Sequence, residues 1–199
     1  MTNIENAIKI FKTNQGIMRM SMAIESGISR KTLYKMLEQE IIIKLERGLY
    51  SLANGPHLGN PDIITVSIKI PNGIICLVSA LSIHNLTTQI PHAIDVGIYF
   101  KSRISKIVSP PVRIFRFSGK AFIDGIDTKK MDGKKINIFN KEKTICDCFK
   151  FRDRIGVDIA KEALKTYIET GKYSVEKLLM YAEICKVSTI VKSYLEALL

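Results

Sequence analysis

The chain has 199 residues, 46% of them hydrophobic and 25% charged, which is the balance of a globular protein of one large or two small domains and excludes collagen-like and disordered classes. No apolar stretch reaches the roughly 20 residues that span a bilayer, and Met1–Lys12 has neither an apolar signal core nor a small-residue cleavage site, so the sequence reads as a cytoplasmic protein with no membrane partner. Thirty Lys and Arg against 19 Asp and Glu leave a net charge of +11, which favours a polyanionic partner but also suits a merely well-solvated surface.

In chain order, Ile4, Ala7, Ile8 and Phe11 recur at helical spacing and predict a helix over 3–13, stopped by the turn sequence Asn14-Gln15-Gly16. A short apolar helix over 20–25 then meets Gly27, Ser29 stands where an N-cap belongs, and a second helix runs from about Arg30 to Gln39. Two helices joined by a short turn with glycine make a helix-turn-helix, with Ile28, Leu33 and Leu37 facing the core. Arg30, Lys31, Thr32, Tyr34 and Lys35 lie off that stripe, near the end that a recognition helix inserts into the major groove. Arginine pairs with guanine, threonine reaches base edges, and lysine neutralises phosphate. The β-rich runs 41–45 and 48–52 predict a hairpin around Glu46-Arg47-Gly48, which adds Lys44 and Arg47 to the candidate contacts. Ser29, Arg30, Lys31, Thr32, Tyr34, Lys35, Lys44 and Arg47 are the expected DNA-binding set of a winged helix over residues 1–57.

The turn formers from Asn54 to Pro61 predict a linker, and a second domain is expected over 58–199. Its sheet is placed within 62–139, with strands expected at 63–70, 73–78, 94–100, 112–117, 122–126 and 135–139 and a helix at 79–86. Helical spacing takes over at 141–149, 157–170, 174–185 and 188–198, giving a helical bundle over 141–199. The expected fold class is α+β. Net charge is +3 over 1–57, +6 over 58–140 and +2 over 141–199.

Catalytic chemistry finds little support in the residues. Asp95, Asp124, Asp127 and Asp132 are candidates for a metal cluster, but turn formation accounts for Asp124 and Asp127. Cys146 and Cys148, two apart on a helix, point to different faces, and with Cys76 and Cys185 they read as packing residues. His84, among apolar neighbours, reads as a core histidine bonded to backbone. Asp147, Arg152, Asp153 and Arg154 read as surface or interhelix ion pairs. No phosphate-cradling loop or nucleophile elbow is present. The expectation is a non-enzyme with no cofactor and no metal. Lys101, Arg103, Lys106, Arg113, Arg116 and Lys120 form a possible second basic surface, for an extended DNA path or an RNA-related partner; strand alternation at 112–117 keeps them from sharing one face.

Two stretches, Ser79-Ala80-Leu81-Ser82-Ile83-His84-Asn85-Leu86-Thr87-Thr88-Gln89-Ile90-Pro91 and Lys143-Thr144-Ile145-Cys146-Asp147-Cys148-Phe149 with Phe151-Arg152-Asp153-Arg154-Ile155-Gly156-Val157-Asp158, resemble the signatures of the AbiEi family, antitoxins of type IV abortive-infection (phage defence) toxin-antitoxin systems. The winged helix ending in Arg47-Gly48-Leu49-Tyr50 is similar to the domain that opens such proteins. Asn85 is a departure, standing where the family pattern has glycine.

The resemblance implies a transcriptional autorepressor that binds inverted repeats of double-stranded operator DNA, as a monomer or weak dimer paired on DNA. It also implies that the C-terminal domain neutralises an AbiEii-type nucleotidyltransferase toxin without requiring a stable complex. The alternative is a protein-interaction module that inhibits a toxin by direct contact, with the winged helix as scaffold.

Overall fold

The computed structural model describes residues 2–14, 16–53, 60–104, 107, 109–131 and 134–198. The chain is α+β, as the sequence predicts, and divides into two compact units. Residues 1–60 with 130–134 make the first, and 61–129 with 135–199 the second.

The first unit runs α1 (Asn3–Thr13), β1 (Ile17–Arg19), α2 (Met20–Glu25), α3 (Arg30–Glu38), β2 (Ile42–Glu46) and β3 (Leu49–Leu52). A capping box starts α1: Thr2 Oγ1 accepts from the Glu5 N–H at 3.2 Å while Glu5 Oε2 accepts from the Thr2 N–H at 2.8 Å. The strands pair antiparallel in the order β1-β3-β2, and the short β1 is an element the sequence pattern did not announce. Ala7, Phe11, Met18, Ala23, Ile28, Leu33, Met36, Ile42, Tyr50 and Leu52 are buried together as its core. Met36 takes a core position beyond the expected stripe, and Leu37 is only partly buried.

In the second unit come α4 (Pro61–Lys69), β4 (Ile74–Ile75), α5 (Leu77–Ile83), β5 (Ile94–Tyr99), β6 (Val112–Phe117), α6 (Lys120–Ile123), β7 (Ile126–Met131) and β8 (Lys134–Phe139), with residues 130–134 of the last two grouped in the first unit. Helices α7 (Lys141–Lys150), α8 (Arg152–Ile155), α9 (Val157–Glu169), α10 (Val175–Cys185) and α11 (Ser188–Glu196) follow. The sheet order is β6-β5-β4-β8-β7; β5 pairs parallel with β6 and antiparallel with β4, and β4 pairs parallel with β8.

The strand expected over 73–78 is confined to Ile74–Ile75, with Leu77 and Val78 opening α5, β7 runs to Met131 where no strand was expected, and two further stretches depart from expectation for a clear physical reason. Residues 63–70 were expected to form a strand, but most of them lie in α4. Their β-branched content favours a strand, yet Pro61 at the first helical position is pre-organised for a helix, and Ile63, Val66 and Ile70 are buried at helical spacing. The expected strand over 122–126 is split between α6 and β7 by Gly125, whose φ of +80° is left-handed. A Cβ on Gly125 would lie 2.9 Å from Lys143 Cβ, so this glycine also lets the backbone close over that lysine. Asn85 has φ +56°, and it closes α5 with bonds from its own N–H to the Ser82 carbonyl and from the Leu86 N–H to the Leu81 carbonyl. Asparagine tolerates that conformation, which is how the departure from glycine is accommodated.

Helix α7 is the axis of the second unit, packing on α5, α9, α10 and α11. Residues Lys143 to Phe149 are all buried, so this helix has no solvent face along that run. Within it, Lys143 Nζ donates to Asp147 Oδ2 at 2.5 Å, with both side chains wholly inaccessible. The surface or interhelix ion pair expected at Asp147 is instead buried and lies within one helix, one turn along it. Cys185 Sγ donates to Asp147 Oδ1 at 3.2 Å, and the Lys143 ammonium lies 4.2 Å and 5.0 Å from the Phe139 and Phe117 ring centroids. Burial pushes the Asp147 carboxyl above its ordinary value and Lys143 draws it back. Of the neighbouring signature residues, Arg152 donates to the Phe149 carbonyl at 2.9 Å and Arg154 sits over the Phe115 ring at 4.1 Å.

Two smaller polar nodes fix the sheet and a loop. Asp95 on β5 accepts from Arg113 Nε at 2.7 Å and Nη2 at 2.9 Å, and its Oδ2 takes the Val78 N–H at 3.1 Å. That last bond caps α5, whose own N-cap, Cys76, makes none with its side chain. Glu162 on α9 accepts from the Thr88 N–H at 2.8 Å, Thr88 Oγ1 at 2.9 Å and Thr87 Oγ1 at 3.2 Å, which holds its carboxyl below the ordinary value.

Lys143→Met strands the Asp147 carboxylate and is expected to cost about 3–5 kcal/mol in urea unfolding, while Lys143→Met/Asp147→Leu costs less than the single change. The depressed Glu162 contributes stability above its unfolded-state value of about 4.3 and loses it as pH falls through the lower folded-state value. The difference in urea midpoint between the unchanged chain and Glu162→Gln is thus expected to be largest near neutral pH and to close at acid pH.

Candidate nucleic-acid interface

The bend between α2 and α3 is built by the backbone. The Ile28 N–H bonds the Ala23 carbonyl and the Gly27 N–H bonds the Ile24 carbonyl, both at 2.9 Å, which is the Schellman ending of a helix. Gly27 has φ +91°, and no atom lies within 4 Å of where its Cβ would be, so the requirement there is conformational rather than steric. Ile28 and Ala23 join the same core and fix the exit angle. Ser29 then caps α3, its Oγ accepting from the Thr32 N–H at 3.1 Å and lying 2.8 Å from Thr32 Oγ1.

Those bonds separate the expected contact residues into two groups. Ser29 and Thr32 are occupied with each other at the helix start, and Thr32 is half-buried. Arg30, Lys31, Tyr34 and Lys35 are exposed, and at 3.6 residues per turn they fall within an arc of roughly 140° opposite Leu33 and Met36. Tyr34, 58% exposed, places a ring and hydroxyl among the three cations. Glu38 lies on the same arc one turn beyond Tyr34 and ends the basic surface.

The wing is tied to this helix pair through the backbone. The Met20 N–H, an orphan donor at the start of α2, bonds the Gly48 carbonyl at 2.8 Å at the tip of the β2–β3 hairpin. Lys44 and Arg47 are exposed on that hairpin. Arg19, also exposed, lies opposite Leu49 in the β1–β3 register and adds a cation at the root of the wing. Sequence reasoning missed it because the three-residue β1 carries too short a pattern to read as a strand.

The second basic set does not form one surface. Arg113 is engaged by Asp95, and Arg116 Nη1 donates to the carbonyls of Phe100 at 2.7 Å and Ser102 at 2.9 Å. Lys101, Arg103 and Lys120 are exposed, and Lys106 lies outside the described residues. Of the carboxylates weighed as metal ligands, Asp95 is committed to Arg113 and Asp132 lies outside the described residues. Among the described residues no three His, Cys, Asp or Glu side chains are grouped to hold a metal ion, and no helix is long and apolar enough to cross a membrane. His84 Nε2 donates to the Phe139 carbonyl at 2.8 Å, leaving Nδ1 as the acceptor 3.4 Å from Lys129 Nζ. Burial holds the ring below its ordinary value, which keeps it a neutral core histidine. All four cysteines are buried thiols.

The roles of these residues in the fold set expectations that a thermal or urea melt can check. Gly27→Ala is expected to cost about 1–2 kcal/mol through backbone strain alone, and Ser29→Ala about 1 kcal/mol through the lost cap. Arg30→Ala, Lys31→Ala and Lys35→Ala are each expected to stay within about 0.5 kcal/mol of the unchanged chain.

No curated protein matches the chain. Its N-terminal part, residues 7–53, matches the family model described as transcriptional regulator, AbiEi antitoxin. That span holds the helix-turn-helix, the hairpin and every exposed cation on them. The chain is thus similar to the AbiEi antitoxin transcriptional regulators over residues 7–53, the part that carries the helix-turn-helix and the wing.

Proposed function

We propose that this chain is a sequence-specific DNA-binding autorepressor and the antitoxin of a type IV toxin-antitoxin system, acting by binding rather than catalysis. The observation that carries the DNA-binding half is the exposed arc of Arg30, Lys31, Tyr34 and Lys35 on a helix capped and angled like a recognition helix, beside a wing bearing Lys44 and Arg47. In this reading Arg30 and Tyr34 meet base edges, Lys31 and Lys35 flank them on phosphates, and Arg47 meets phosphate in the adjoining groove. Ser29 and Thr32 set the helix start instead of reading bases. The operator is a pair of inverted repeats upstream of the protein's own operon, each taken by one copy, since site symmetry mirrors protein symmetry.

The antitoxin half rests on the resemblance of the stretches 79–91 and 143–158 to AbiEi signatures. Many of their residues are buried and define the second unit's interior. The second unit would then neutralise an AbiEii-type nucleotidyltransferase, with no stable complex required. Both activities place the chain in the cytoplasm, with its DNA.

Fluorescence anisotropy with the upstream DNA and a scrambled duplex, each across a salt series, tests the repressor reading. A preference of about a thousandfold or more at moderate salt is expected. Arg30→Ala/Lys31→Ala/Lys35→Ala is expected to abolish that preference in a chain that still melts as before. Arg47→Ala is expected to weaken both duplexes alike and to lower the salt slope by about one unit. Equal affinity for the two duplexes, or a triple variant with unchanged preference, would overturn the assignment of α3.

A further inference from the structure

A second surface in the larger unit combines exposed aromatic rings with cations, and the repressor reading does not use it. It lies where the parallel strands β5 and β6 both end. Tyr99 and Phe100 close β5 with ring centroids 4.8 Å apart, and Phe122 of α6 lies 5.6 Å from Tyr99. Phe100 remains 46% exposed and Tyr99 37%, beside Ile123 of α6 at 66%. An apolar surface of this kind is normally covered.

The rings are held in place by backbone bonds. The Phe100 N–H bonds the Phe117 carbonyl at 2.9 Å, and the Ser102 N–H bonds the Tyr99 carbonyl at 2.9 Å. Arg116 clamps the turn from the next strand through the carbonyls of Phe100 and Ser102. Its guanidinium thus rigidifies the chain that presents the rings. Lys101 Nζ stands 5.5 Å from the Phe100 ring centroid, and Arg103 and Lys120 are exposed on the same two segments. Residues 99–103 and 116–123 carry Lys101, Arg103, Arg116 and Lys120 and no carboxylate.

Rings fixed in a turn, with Lys101 beside one of them and exposed Arg103 and Lys120 on the same segments, suit a partner that offers flat π faces and a polyanionic backbone together. We propose that this surface binds single-stranded nucleic acid, with unpaired bases stacking on Phe100 and Tyr99 and phosphates meeting Lys101, Arg103 and Lys120. Duplex DNA fits it less well, because paired bases bury the faces that the rings would contact. A protein partner with an apolar pocket would be served by the rings and Ile123, but it gives the clustered cations no purpose. The site shares no residue with α3 or the wing, so it stands or falls independently of the operator reading.

The test is anisotropy of the full chain with a short fluorescein-labelled single strand of mixed sequence, at moderate salt and with unlabelled duplex as competitor. Phe100→Ala is expected to weaken binding about tenfold, within the range of losing one stacked base. Phe100→Leu, which keeps apolar bulk without a π face, is expected to lose affinity similarly, and Phe100→Trp to retain it. Lys101→Ala/Arg103→Ala is expected to weaken binding and flatten its salt dependence. Arg30→Ala/Lys31→Ala/Lys35→Ala is expected to leave single-strand affinity within about twofold, a variance that separates this site from the winged helix. No single-strand binding, binding indifferent to Phe100→Ala in a chain that melts normally, Phe100→Leu as tight as the unchanged protein, or complete dependence on the α3 cations would each overturn the proposal.

Discussion

Lys143 is an ammonium enclosed on every side, and the way its charge is answered organises the larger unit. Asp147 sits one turn along the same helix, Cys185 of α10 occupies the second carboxylate oxygen, and the Phe117 and Phe139 rings of the sheet meet the cation. Gly125 lets the α6–β7 turn close over the lysine's stem. Helix, sheet and bundle are thereby tied to one buried pair, because an ion out of water tolerates only neighbours that supply opposite charge, hydrogen bonds or a π face. The pair need not add net stability over an apolar equivalent. Its effect is to penalise other packings of α7, since rotating that helix would carry the pair away from the Cys185 thiol and the Phe117 and Phe139 rings that answer it from outside the helix.

The same constraint operates more gently elsewhere. Asp95 brings Arg113 across from the neighbouring strand and caps α5, so one carboxylate fixes both a parallel strand pair and a helix start. Arg116 spends its guanidinium on two carbonyls of the β5 turn. These cations look alike in sequence, yet Arg113 answers a carboxylate and Arg116 supports backbone, while Lys101, Arg103 and Lys120 face water. A strongly basic chain therefore offers less free positive charge than its composition implies.

The winged-helix unit was largely legible from sequence because its determinants are local. Gly27 at the bend, Ser29 at the cap and the helical spacing through Leu33 act within a few residues, and the structure places α2 and α3 where those signals put them. The body was less legible. Residues 61–69 have the β-branched content of a strand and form α4, because Pro61 and the burial of Ile63 and Val66 favour a helix in that setting. Arg19 beside the wing depends on a pairing between β1 and β3 across some thirty residues, which no local pattern encodes.

The sequence by itself determined the charge excess, the order of the first three helices, the capped recognition-type helix and the turn that angles it, all of which depend on spacing and on conformational preferences of neighbouring residues. Tertiary structure decided which charges are spent and which are presented. Asp147 and Arg113 carry the same formal charge whether they face water or the core, and only the arrival of Lys143 or Asp95 at bonding distance assigns them. The aromatic surface at Tyr99 and Phe100 was likewise set by tertiary structure, since a ring's exposure depends on what packs beside it rather than on its place in the chain.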